Sequence, residues 1–122
     1  MRPLWPIERA VLEATAQDYP AFAESLRRQT VAARVTQFEN SGAGFFSTIT
    51  LSDDAPRLPD KSRLEGAVGG VEGIEDGMAF IVFMEGGRLS LIEGYSQGGA
   101  STDAVDFSVV PFEIRPWSMA KG

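Results

Sequence analysis

The residue with the best claim to chemistry is Glu93. In Leu89-Ser90-Leu91-Ile92-Glu93-Gly94-Tyr95 the period-two alternation of a strand places Glu93 on one face with Leu89, Leu91 and Tyr95. Burial disfavours the charged form of a carboxylate and fits it for general acid or base work. Tyr95 would serve beside it as a hydrogen-bond donor. Gly94, having no side chain, permits close approach by a ligand or by another stretch of backbone. The plainer reading of Glu93 is a charge that reaches solvent near a strand end or accepts hydrogen bonds from a loop. Glu93, Gly94 and Tyr95 are therefore the candidate ligand-binding residues, with Glu93 the one candidate for catalysis.

Three further carboxylate groups could offer oxygen ligands to calcium or magnesium: Asp53-Asp54, Glu75-Asp76, and Asp103 with Asp106. None follows the twelve-residue calcium-loop pattern, and turns favour Asp for its own backbone hydrogen bonds. No metal site is expected from them. Gly42-Ala43-Gly44 and Gly98-Gly99 could form anion nests. No lysine follows them at phosphate-loop spacing, and no dinucleotide fingerprint lies between a strand and a helix. No cofactor is expected. The 122-residue chain has neither cysteine nor histidine. That removes thiolate nucleophiles, Cys-ligated metals, the Ser-His-Asp triad and the imidazole base.

Seventeen acids against eleven bases give a net charge of −6. Residues 1–41 are neutral, with five of each sign, so the whole excess lies in residues 42–122. An acidic surface repels phosphate backbones and anionic lipid, so neither nucleic acid nor membrane is an expected partner. The longest apolar run, Met78–Met84, is seven residues, against the ~20 a membrane-spanning helix needs. The start of the chain reaches the charged pair Glu8-Arg9 without an apolar stretch, unlike a secretory signal. A cytoplasmic setting is the expectation.

The elements that must position these residues fall into two halves. All 13 glycines lie at or beyond Gly42. Each costs a helix interior about 1 kcal/mol relative to alanine. Helices are therefore expected first and strands after. The first helix starts at Pro6 or Ile7, with Ile7, Val11 and Ala14 on one face. Asp18-Tyr19-Pro20 interrupts, and Asp18 is placed to cap a second helix over Pro20–Ala33.

Strands are expected at Arg34–Phe38, Phe45–Leu51, Leu64–Val71, Met78–Met84, Leu89–Tyr95 and Phe107–Ile114, the last on an edge because of Pro111. Turns are expected at Asn40–Gly42, Ile74–Gly77 and Glu85–Arg88, and exposed loops over Asp53–Lys61 and Ser96–Asp106. Trp5 and Trp117 are expected to pack the two ends of the chain down. Met78–Met84 is apolar on both faces, as a central strand covered on both sides would be.

The expected fold is a single α+β domain over residues 1–122: two N-terminal helices packed on one face of a curved, mainly antiparallel sheet of five or six strands. One helical layer covers only one sheet face. The other face of Met78–Met84 needs a curled sheet or a second subunit, and a homodimer is the preferred solution.

Three stretches together resemble a group of small bacterial proteins. They are Gly42-Ala43-Gly44-Phe45-Phe46, Gly73-Ile74-Glu75-Asp76-Gly77 leading into an apolar strand, and Leu91-Ile92-Glu93-Gly94-Tyr95. The resemblance implies a bacterial origin and a shared fold. The group has no assigned activity, so no catalytic residue transfers.

The leading functional expectation is a non-catalytic binding or interaction domain acting as a homodimer. One alternative is a small-molecule binder or carboxylate-dependent enzyme with a pocket between helices and sheet that uses Glu93. Another is an acidic immunity or inhibitor-type protein.

Overall fold

Pro6 opens α1 (Pro6–Gln17), where its missing N–H costs no hydrogen bond. The computed structural model describes residues 1–52, 55–59 and 63–120. A short 3₁₀ turn (Pro20–Phe22) leads into α2 (Ala23–Ala32). Six strands follow: β1 (Arg34–Asn40), β2 (Gly44–Thr50), β3 (Arg63–Val71), β4 (Ile74–Glu85), β5 (Arg88–Ser96) and β6 (Phe112–Pro116). A second 3₁₀ turn spans Trp117–Met119. The strands form one open sheet, ordered β1-β2-β5-β4-β3-β6, with every pairing antiparallel. The expected α+β architecture, two helices against an antiparallel sheet, is the observed one.

The core lies between the helices and one sheet face. Ile7, Val11, Leu12 and Leu26 from the helices join Phe45, Phe80, Val82 and Ile92 from the sheet. Phe45 stands at the middle of an aromatic cluster, its ring centroid 4.8 Å from Phe107, 5.5 Å from Phe38 and 6.0 Å from Phe80. Trp5 closes this cluster edge-on against Phe38 at 4.6 Å.

Four local expectations need correction. First, the chain does not reverse at Ile74–Gly77. It turns two residues earlier at Glu72-Gly73, so that Val71 pairs with Ile74 and β4 gains a full extra turn-side segment. Gly77 keeps its turn-like φ of +74° inside the strand, and a Cβ there would lie 2.6 Å from the Gly69 carbonyl oxygen.

Second, Phe107–Ile114 is not one strand. Asp106 accepts hydrogen bonds from the Ser108 backbone N–H and hydroxyl, which curls residues 106–109 into a turn. Phe107 drops into the core, and β6 begins only after Pro111. Third, Asp18 does not cap α2. Its carboxylate is taken by the backbone N–H and hydroxyl of Ser118, tying the C-terminal 3₁₀ turn to the end of α1. Fourth, the second helix is shorter than Pro20–Ala33, its first turn being 3₁₀.

Candidate functional site: the outer face of the sheet

Opposite strands in an antiparallel pair share a face residue by residue, so the registers lay out the face turned away from the helices. Its middle row runs Glu39–Phe46–Glu93–Ile81–Glu65 across β1, β2, β5, β4 and β3. On one side lies Gln37–Thr48–Leu91–Phe83–Arg63. On the other lies Gly44–Tyr95–Ala79–Val68–Arg115, ending on β6. Ala79 and Val68 are buried between taller neighbours; Phe46, Ile81, Phe83, Leu91, Glu93 and Tyr95 are half-buried. Both helices, and Phe107 from the long loop, pack on the other face. Among the described residues no helix or loop lies over this one.

The three candidate residues do not share a face of the sheet. Glu93 and Tyr95 stand on the outer face, while Gly94 lies between them and faces the core. A Cβ on Gly94 would come 2.9 Å from a Phe45 ring carbon and 3.0 Å from two carbons of Phe80. The residue therefore makes room for aromatic rings, not for a ligand. Gly94→Ala is expected to lower stability by about 1–3 kcal/mol through overpacking, read from the urea midpoint. An unchanged midpoint would show that the rings move aside freely.

Alternation through β5 also breaks once. Phe83 pairs with Leu91 but Met84 pairs with Leu89, so β5 carries an extra residue at Ser90. This bulge turns Leu89 to the core, where it is 3% exposed, and leaves Leu91, Glu93 and Tyr95 outside. The expectation that Leu89 shares the face of Glu93 is corrected by it. So is the expectation of a pocket between helices and sheet that uses Glu93, because this carboxylate lies on the side away from the helices.

A broad hollow lies elsewhere. It is open, about 640 Å³, and lies beside the β4–β5 hairpin, with Ile49, Leu51, Arg57, Glu85 and Arg88 among its lining. Its arginines hold main chain: Arg57 donates to the Gly86 carbonyl at 2.7 Å and Arg88 to that of Ser52 at 2.7 Å.

Comparison with family models, curated proteins and solved structures finds no match. The reading of the site therefore rests on its own geometry.

Among the described residues no three His, Cys, Asp or Glu side chains are grouped to hold a metal ion; Asp53-Asp54 falls outside those residues. Among the described residues two carboxylates, Glu13 and Asp106, are held below their ordinary range. Arg27 does this to Glu13 through a side-chain hydrogen bond, and the Ser108 hydroxyl and N–H do it to Asp106. Neither belongs to the outer face.

Buried polar side chains escaped the sequence reading, Glu8 and Gln29 among them. Glu8 is fully buried, as is Gln29 on α2. Glu8 did carry a signal: it stands three residues after Trp5, at the position where a Glu reaches back to the N-cap N–H. The Trp5 N–H donates to it at 2.7 Å. Both residues are fully occupied by the protein's own groups and serve the fold.

Proposed function

We propose that the protein is a non-catalytic interaction domain that works as a homodimer through the outer face of its sheet. The carrying observation is the apolar band of Phe46, Ile81, Phe83, Leu91 and Tyr95, which no described element covers. In β4 the inward residues Met78, Phe80 and Val82 are fully buried, while the outward Ile81 and Phe83 are only half so. Contiguous apolar surface rimmed by charge is the usual mark of a contact site.

The missing cysteine and histidine, and a Glu93 that stands partly exposed on the outer face, favour binding over catalysis. The acidic row Glu39–Glu93–Glu65 favours, as a second reading, a basic protein on the same face. The setting we propose is the bacterial cytoplasm, on the sequence resemblance. No helix among the described residues is long and apolar enough to cross a membrane.

Sedimentation equilibrium at micromolar concentration tests this. The wild type is expected to be a dimer, and Phe83→Glu to weaken association by at least about a hundredfold, because it places a carboxylate in the seam. Circular dichroism should show the variant folded, since Phe83 is not part of the core. A monomeric wild type overturns the homodimer and leaves the basic partner as the reading to pursue.

A further inference from the structure

The outer face carries its own instruction for how a second copy sits on it. Stacked sheets pack about 10 Å apart, and a two-fold joining identical faces lies in the plane between them. Two simple placements exist over the middle row. If the axis runs across the strands, each strand lies over its own copy. Glu93 then meets Glu93, Glu39 meets Glu39 and Glu65 meets Glu65, like charges stacked in a seam that excludes water.

If the axis runs along the strands between β4 and β5, each row is kept but the strands exchange, β5 with β4 and β2 with β3. Leu91 then lies over Phe83 of the second copy, and Tyr95 over the small Ala79, so that large meets small. Glu93 lies over Ile81. Arg63 of the second copy comes over Thr48, offset from Glu93 by one strand (about 4.8 Å) and two residues (about 6.8 Å). An extended arginine and an extended glutamate, reaching toward each other, together span that offset. Arg63 is exposed and makes no ion pair with the described residues of its own chain, and neither does Glu93.

We propose that two copies stack face to face about a two-fold parallel to the strands, with Glu93 of each paired to Arg63 of the other. The inference rests on the homodimer reading and adds its orientation. It gives the lone carboxylate at the centre of an apolar face a cation, made twice by symmetry. A pair of this kind sets register and orientation more than it adds affinity.

The test is a charge-exchange cycle read as the dimer dissociation constant by sedimentation equilibrium. Glu93→Arg and Arg63→Glu are each expected to weaken the dimer about tenfold or more. The double exchange is expected to recover most of that loss, because the opposite charges again face each other. Glu93→Gln is expected to weaken it less.

A double variant as weak as the two single losses combined overturns the orientation. So does a Glu93→Gln dimer that is tighter than wild type, the result the crossed axis requires. Both outcomes leave intact a dimer that Phe83→Glu still dissociates. A wild type that is monomeric removes dimer and orientation together.

Discussion

Arg2→Ala is expected to destabilise the protein by about 3–5 kcal/mol, the range for stripping a buried charge of its partner, read as a lowered urea midpoint. Glu8 is 0% exposed and accepts from both terminal nitrogens of Arg2 at 2.9 Å, from the Trp5 N–H at 2.7 Å and from the Ser47 hydroxyl at 2.5 Å. The Arg2 guanidinium lies 3.4 Å above the Trp5 ring, a contact that adds to the loss. Its backbone pairs with Val35 in both directions, at 3.0 and 2.8 Å, so the start of the chain is anchored to β1. Without the guanidinium, a carboxylate remains between helix and sheet with only neutral donors.

The companion experiment replaces both charges. Arg2→Met with Glu8→Leu is expected to cost less than Arg2→Ala alone, since no unpaired ion is left behind. The residual loss is about 1 kcal/mol for each of the Trp5 and Ser47 donors deprived of an acceptor. If Arg2→Ala alone costs under about 1 kcal/mol, the ion pair is not holding the end of the chain down. Trp5, expected to pack that end, does so as one layer of this assembly.

Much of the architecture could be read from residue types because each signal was local. Glycine is absent before Gly42, and both helices lie before it. Phe45, Ser47 and Ile49 alternate cleanly, and β2 points all three inward. Met78–Met84 is apolar at every position, and β4 is flanked by strands on both sides. In two of the misreadings a partner distant in sequence helped decide the local geometry. Asp18 is a sound helix cap, but Ser118 offers it two donors from across the molecule. Residues 107–114 have strand-like composition, but a Ser108–Asp106 turn interrupts them and Phe45 offers Phe107 a place in the core.

The candidate site shows the same division. That Glu93 shares a face with Leu91 and Tyr95 follows from spacing alone. Which face the helices choose does not, since both faces of β4 are apolar. The bulge at Ser90 was equally hidden, because the pairing of Leu89 with Met84 and of Leu91 with Phe83 creates it. Only the registers bring Glu39 and Glu65 into line with Glu93, from strands up to 54 residues apart in sequence.

Gln29 is the extreme case, a polar residue beside Arg27 and Arg28 in a polar stretch, with nothing in its neighbours to mark it as buried. Yet its amide is the joint between α2, the loop at Pro56 and the β4–β5 hairpin. The nitrogen donates to the carbonyls of Pro56 at 2.6 Å and Gly87 at 2.8 Å, and the oxygen accepts from the Leu89 N–H at 2.8 Å. Gln29→Leu keeps the volume but takes this partner from the Pro56 carbonyl and the Leu89 N–H, while the Gly87 carbonyl keeps the Leu58 N–H at 2.9 Å. At about 1–3 kcal/mol for a buried group left unpaired, and with some regaining water at the loop, a loss of about 3 kcal/mol is expected. Gln29→Glu should cost more, because it sets a carboxylate against two carbonyl oxygens.

Hydrogen exchange separates this from simple loss of packing. The Leu89 amide should exchange markedly faster in Gln29→Leu, while the amides of β2 and β3 change only by the global loss of stability. A cost below about 1 kcal/mol with the Leu89 amide still protected would mean that water, not Gln29, satisfies the hairpin.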